Sequence, residues 1–361
     1  MFRVLITDSS YKHAIALARY LKEAVPDIDL AGHTMATFNI GSWYSCFDRS
    51  IRGVPLEQVV QNNSFDMVIP VGGRSVLHVS KLCPELAILP SPDRLEICFD
   101  KVKTIEFAGG IGIPVPRSQV LFSLDDLVEK ELTLPCVLKP SREATALTSV
   151  SYCNTVEEVR RKAVPMLETL KNDTAGLLVQ EFIPGGGCGF FALMDDGKPL
   201  RVFMHQRIRE YPPTGGPSTA ARALYSPRLK ELGLSLLSSL RWRGVAMVEF
   251  KDDSRTGDFV LMEINAKFWG SLELGLRAGV NFGADLVRLF RGERLSYCES
   301  YDRECRFYWP LDDDLRTLLE TRSLGKIRDY WQSGASTNLG QSTRADLCKV
   351  AYLLKQLVLG R

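Results

Sequence analysis

Two glutamates stand where the surrounding pattern calls for apolar side chains. Glu249 lies in GVAMVEF and Glu263 in FVLMEIN, each the one charge in an apolar, strand-like run. A buried carboxylate is costly unless it is paired or binds a cation. Asn265 follows Glu263 by two residues, so on a strand the two side chains share a face. Two acids and an amide oxygen on adjacent strands make an all-oxygen site, the donor set that suits Mg²⁺. Salt bridges to Lys or Arg are the structural alternative. Lys139 closes the apolar segment LPCVL and precedes a proline. It could sit on a phosphate as a compact point charge, or snorkel from a strand end. Lys101 follows Asp100 at the head of a helical stretch, where a solvated helix residue is the plain alternative. Arg207 and Arg209 alternate along a run that leads into YPPTGGPS at 211–218, so both are expected to face one cleft. Paired arginines commonly mark carboxylate or phosphate recognition, and a loop with two glycines and three prolines suits a mobile flap. A solvated strand face is the alternative for them; Arg74, just past Gly72-Gly73, is the next candidate to hold an acid.

These residues need elements to place them. The N-terminal third alternates strand and helix signals: an apolar strand at 4–7, a turn at 8–10 able to cap a helix, and apolar positions at helical spacing from Tyr11 to Leu21. Further strands near 29–31 and at 67–71 predict a small parallel sheet of Rossmann-like order. The turn after the first strand has no glycine, and Gly109-Gly110-Ile111-Gly112 precedes a strand instead of opening a helix, so the dinucleotide fingerprint is absent. From 91 onward the pattern becomes helix, glycine stop and Pro-bounded strand, then a hairpin around Asp195-Asp196-Gly197, a helix over 227–240 and two strands at 245–250 and 259–264. Long hairpins make this part mixed or antiparallel. Beyond Arg294 the pattern reads as aromatic and helical.

Composition narrows the class. Among 361 residues, 45 Lys plus Arg against 43 Asp plus Glu leave a net charge of +2, without the basic excess of a nucleic-acid protein. No uncharged apolar run approaches the ~18 residues that span a bilayer, and MFRVLITDSS reads as strand and turn, not as a secretory leader. Nine scattered cysteines with no CxxC pair fit reduced thiols in the cytoplasm. The absence of HExxH and the scarcity of histidine argue against a zinc enzyme.

Taken together, DKVKT at 100–104, LPCVLKP at 134–140, VQEFIPG at 179–185 and VEF at 248–250 with MEINAKFWGS at 262–271 resemble, in order and spacing, the ATP-grasp superfamily. The likeness is to its carboxylate–amine ligases related to the carbamoyl-phosphate synthase large subunit. That resemblance implies an α/β and α+β chain: a Rossmann-like pre-ATP-grasp domain over 1–97, an ATP-grasp domain of two α+β subdomains over 98–294 with its lid at about 115–183, and a helical, aromatic extension over 295–361. It implies that Lys101 and Lys139 contact ATP phosphates, that Gln180, Glu181, Phe182 and Ile183 form the hinge beside adenine, and that Glu249, Glu263 and Asn265 bind two Mg²⁺, with Mn²⁺ an acceptable substitute. Lys267 stands where many members have an arginine on the transferred phosphoryl group, with Arg207 and Arg209 near the acid. Two departures stand out. The acidic residue that often binds ribose is missing at 185–189, and the phosphate loop, usually glycine-rich, reads SREATALTS at 141–149. The implied activity is ADP-forming ligation of a small carboxylic acid, such as an amino acid or peptide, to an amine through an acyl phosphate. The alternatives are a small-molecule kinase of the same fold or a catalytically silent nucleotide-binding module. Small-molecule partners are implied, with neither nucleic acid nor membrane, and residues 295–361 are expected to cap the site, mediate a homodimer, or both.

Overall fold

A computed structural model of the chain describes residues 1–142, 147, 149–213 and 215–359, with side chains through 356. Strands β1 (Phe2–Ile6), β2 (Ile28–Thr34), β3 (Arg49–Arg52) and β4 (Met67–Ile69) form a parallel sheet ordered β3-β2-β1-β4. β1 is apolar from Val4 to Ile6 because both of its faces are covered there: Val4 and Ile6 enter one core, Leu5 another. Helices α1 (Lys12–Ala24), α2 (Leu56–Asn62) and α3 (Gly73–Leu82) flank this sheet. The turn at 8–10 does not cap α1. Asp8 takes a positive φ of 54° and its carboxylate accepts from the Gly72 N–H at 2.8 Å, joining the ends of β1 and β4.

After α4 (Pro92–Phe99), Asp100 caps α5 (Lys101–Gly110) by accepting from the Val102 and Lys103 N–H groups at 3.0 and 3.4 Å. Strands β5 (Ser118–Leu121), β6 (Cys136–Pro140), β7 (Ser151–Cys153) and β8 (Leu177–Glu181) make an antiparallel sheet ordered β5-β8-β6-β7. It is backed by α6 (Val156–Leu170), which Thr155 caps, and has a separate core around Leu138, Val159 and Leu177.

The third sheet holds β9 (Gly187–Asp195), β10 (Lys198–Glu210), β11 (Ser218–Ala223), β12 (Gly244–Asp253), β13 (Asp258–Asn265), β14 (Arg306–Tyr308) and β15 (Ala335–Thr337). Its order is β13-β12-β9-β10-β11-β14-β15. Central β9 alternates between two cores: Phe191 and Leu193 face the N-terminal layer with α8 (Leu272–Arg277) and α9 (Phe282–Phe290), while Phe190, Ala192 and Met194 face α4, α5 and α7 (Pro227–Ser239). The segment after 295 is more than a helical extension. Besides α10 (Leu315–Glu320) and α11 (Thr343–Leu359), it adds β14 and β15 to the sheet edge and buries Phe307 and Trp309. Strands of three residues are too short to display the alternation that reveals strands in sequence. No helix among the described residues is long and apolar enough to cross a membrane.

Candidate active site

The three sheets meet around a cleft of about 820 Å³. Of the residues singled out in the sequence, Lys101, Lys139, Gln180, Glu181, Phe182, Ile183, Arg207, Glu249, Glu263, Asn265 and Lys267 line it, as does Arg74. On its floor, β12 and β13 pair so that Glu249 stands directly opposite Glu263 and Met247 opposite Asn265. The Asn265 amide donates to Glu263 at 2.9 Å. Arg207, reaching across from β10, donates to Glu249 at 2.5 Å and to Glu210 at 3.2 Å.

Burial and opposite charges compete here. Burial would raise the Glu263 pKa, but Lys101, the Asn265 amide, Lys139 and Lys267 together bring it below the usual range. Glu249, with burial dominant and Glu263 facing it, is raised despite Arg207. Two buried carboxylates facing each other are relieved by a shared proton, which raises Glu249, or by a cation. No group of three or more His, Cys, Asp or Glu suited to a metal exists among the described residues. Glu249, Glu263 and the Asn265 oxygen together are an all-oxygen set of the kind that would suit a hard, oxygen-loving cation. Lys139 is depressed to about 8, first by desolvation, with Lys101 adding repulsion and Glu263 and Glu249 opposing.

Along the hinge, the Glu181 N–H is taken by the Arg117 carbonyl and the Phe182 N–H by the Pro135 carbonyl, at 2.8 and 3.0 Å. The Glu181 carboxylate pairs with Arg255 at 2.8 Å. That leaves the Ile183 N–H as the hinge donor without a partner among the described residues, so any adenine contact from an N–H falls to Ile183. Residues 143–146 and 148 of the phosphate-loop segment, and Thr214 of the 211–218 loop, lie outside the described residues.

Arg209 does not share the cleft with Arg207. A β-bulge lies between them: Arg207 registers with Ala221 and Arg209 with Ala220, so the alternation breaks and the side chains diverge. Arg209 forks onto Asp314 with two 2.8 Å bonds and reaches Asp329 at 3.2 Å. Thr219 and Tyr330 complete the shell of Asp314, which is 0% exposed. This is a buried structural ion pair.

Two lining residues, His13 and His205, carried no sequence signal. His13 Nδ1, His205 Nδ1, Arg207 Nε and Trp269 Nε1 are buried with no partner among the described residues, and all four residues line the cleft. Buried polar atoms are rarely left unpaired, so their convergence marks a place for a polar ligand. Burial holds both histidines near 3, reinforced for His13 by Lys12 and Lys267 and for His205 by Arg207. Both rings are therefore neutral at pH 7. A lone histidine in an apolar stretch reads as core, which hid them.

No family model matches the chain. Over 97 residues, 26% of its length, it is 35% identical to a D-alanine–D-alanine ligase of Marinomonas sp. (strain MWYL1), a match that spans 29% of that relative. Among solved structures it is similar to an L-amino acid ligase from Bacillus licheniformis, with TM-score 0.61 and 16% identity over 80% of this chain and 73% of that one. The N5-carboxyaminoimidazole synthetase of Staphylococcus aureus gives TM-score 0.69 and 12% identity over 89% and 85%. The biotin carboxylase domain of Hydrogenobacter thermophilus 2-oxoglutarate carboxylase, solved with MgADP, gives 0.66 and 18% over 82% and 71%. At these identities the likeness shows the fold, which is the ATP-grasp fold that the motifs resemble.

Proposed function

We propose that the chain is an ATP-dependent ligase that joins a carboxylate to an amine and releases ADP and phosphate. The observation that carries this reading is the floor of the cleft, where Glu249 and Glu263 face each other under the field of Lys101, Lys139 and Lys267. Phosphoryl transfer needs little covalent help from protein; it needs alignment and charge neutralisation. In this reading Lys101 and Lys139 hold the phosphates, residues 180–183 flank adenine, and Lys267 with Arg207 steadies the transferred group. Glu249, Glu263 and Asn265 would hold Mg²⁺, two ions in the fullest form and Mn²⁺ as a substitute, which would neutralise charge on the phosphate oxygens.

The substrate carboxylate oxygen attacks the γ-phosphorus as the bond to the β,γ-bridging oxygen breaks, leaving ADP and an acyl phosphate. The amine nitrogen then attacks the acyl carbon, phosphate departs with its oxygen, and the nitrogen loses a proton. No side-chain nucleophile is required, so the cysteines need no catalytic role. Eight of the nine are out of full solvent exposure. The reading places the enzyme in the cytoplasm.

ADP release measured across a panel of carboxylic acids, with amines and separately with hydroxylamine, tests it. Acid-dependent ADP release with hydroxamate formation is expected. A stable phosphorylated product that accumulates without amine would make the protein a kinase. Nucleotide binding without turnover for any pair would make it a binding module.

A further inference from the structure

A second cavity of about 470 Å³ adjoins the cleft, within the ~300–1,000 Å³ of small-molecule pockets. The start of α1, the loop at 38–40, residues 311–313 and α11 enclose it, so half of its lining comes from the segment after 295 that the motifs leave without a role. Pro217 and Ser218 line both spaces and form their common wall.

Two charges in this cavity have no ionic partner among the described residues. One is Lys12, at the wall: its ammonium donates to the Ser218 carbonyl at 3.4 Å and lies 4.7 Å from the Trp309 ring centroid, with no carboxylate in salt-bridge reach. Burial lowers its pKa. The other is Asp313. It adopts φ 75° and ψ −3°, a left-handed conformation that costs a non-glycine residue energy. Its backbone oxygen is fixed by the Thr317 hydroxyl at 2.8 Å, but its carboxylate accepts no hydrogen bond among the described residues; Arg316, which donates to Glu320 at 2.9 Å, and Lys12 act on it only through space. Asp312, by contrast, is satisfied by Lys349 and Asn338. Besides the paired charges of Asp312, Lys349 and Arg316, much of the lining is apolar: Ile15, Phe38, Ile40, Leu311, Tyr352 and Leu353. Phe38 and Tyr352 remain 54% and 61% exposed there.

We infer that this cavity binds the acid substrate of the ligase as a short zwitterion with a bulky apolar group, of which a large apolar α-amino acid is the simplest member. Its carboxylate lies on Lys12, the end nearest the cleft, and its ammonium on Asp313. The apolar group fills the space against Phe38, Ile40 and Leu353. The carboxylate is then the end presented to the phosphoryl site, and the amino group is kept from reacting with its own kind. Glycine or alanine would leave the apolar walls wet.

The inference rests on the ligase reading for the substrate's role, but its test is a binding measurement that turnover does not enter. Calorimetry on the full chain would compare L- and D-phenylalanine with phenylacetate, which lacks the ammonium, phenethylamine, which lacks the carboxylate, and glycine. One phenylalanine enantiomer should bind at least tenfold more tightly than the other three ligands. Asp313→Asn should weaken phenylalanine at least tenfold and phenylacetate little; asparagine tolerates positive φ, so the backbone is preserved. Lys12→Met should weaken phenylalanine and phenylacetate together, and Leu353→Trp should block all of them. Equal binding of phenylalanine and phenylacetate, or phenylalanine affinity unmoved by Asp313→Asn, overturns the site. If phenylalanine binds as described yet no amine yields ADP, the ligase reading fails and the cavity assignment stands.

Discussion

Nucleotide affinity should fall steeply in mild alkali, because of Lys139. Its depressed value of about 8 places its charge change within an accessible range, whereas an ordinary lysine stays protonated to about pH 10.4. The sign follows directly: below pH 8 the ammonium is present to meet phosphate, and as pH rises through 8 the free protein loses that charge. Bound phosphate favours the charged form, so binding in alkali requires proton uptake. If the complex keeps the proton, the apparent dissociation constant for Mg·ADP should rise about 25-fold between about pH 7.5 and 9.5, or about 1.9 kcal/mol. Isothermal titration at half-unit steps measures this, and repeating it in buffers of different ionisation enthalpy shows the proton taken up. Lys139→Arg keeps its charge over the whole range, so its curve should be flat. A flat wild-type curve, or the same slope in Lys139→Ala, would refute the assignment of Lys139 to the phosphates.

Three further outcomes are expected. Glu263→Gln should lower turnover by about 10²–10³, the usual cost of removing one preorganised electrostatic group, and should shrink the gain in ADP affinity on adding Mg²⁺; an unchanged Mg²⁺ gain would remove Glu263 from the metal site. Arg209→Met should cost about 3–5 kcal/mol in urea unfolding, because Asp314 is left charged and buried, while ADP affinity holds. Lost acid use without lost stability would return Arg209 to the substrate. Gly233→Ala, in the middle of α7, would set a Cβ 2.3 Å from the Phe190 ring; overpacking of about 1–3 kcal/mol should outweigh a helix-propensity gain of about 1 kcal/mol and lower the melting temperature.

Much of the cleft was legible because strands advertise exceptions. A charge at Glu249 or Glu263 interrupts an apolar run, and that departure is visible without knowing what lies opposite. The period of two also places Glu263 and Asn265 on one face, and they do line one cleft. The fold class was similarly open to reading, since helix and strand periods are local properties of the chain.

What only the tertiary structure decided depends on register and on contacts between distant segments. Strict alternation puts Arg207 and Arg209 on the same face, yet one bulge sends the first to Glu249 and the second to a buried aspartate more than a hundred residues away. No sequence pattern announces a bulge, because it is set by how β11 and the Asp314 turn accept the strand. Likewise Lys12, His13 and Trp269 look like parts of ordinary helix and core until the N-terminal layer docks on the central sheet. Asp313 is one more surface acid until the chain around it takes a left-handed turn and leaves its carboxylate unpaired beside a cavity. Local sequence chose the elements and most of the reactive groups. Packing chose which of those groups meet, because a side chain's partners are fixed by the register and docking of elements far apart in the chain.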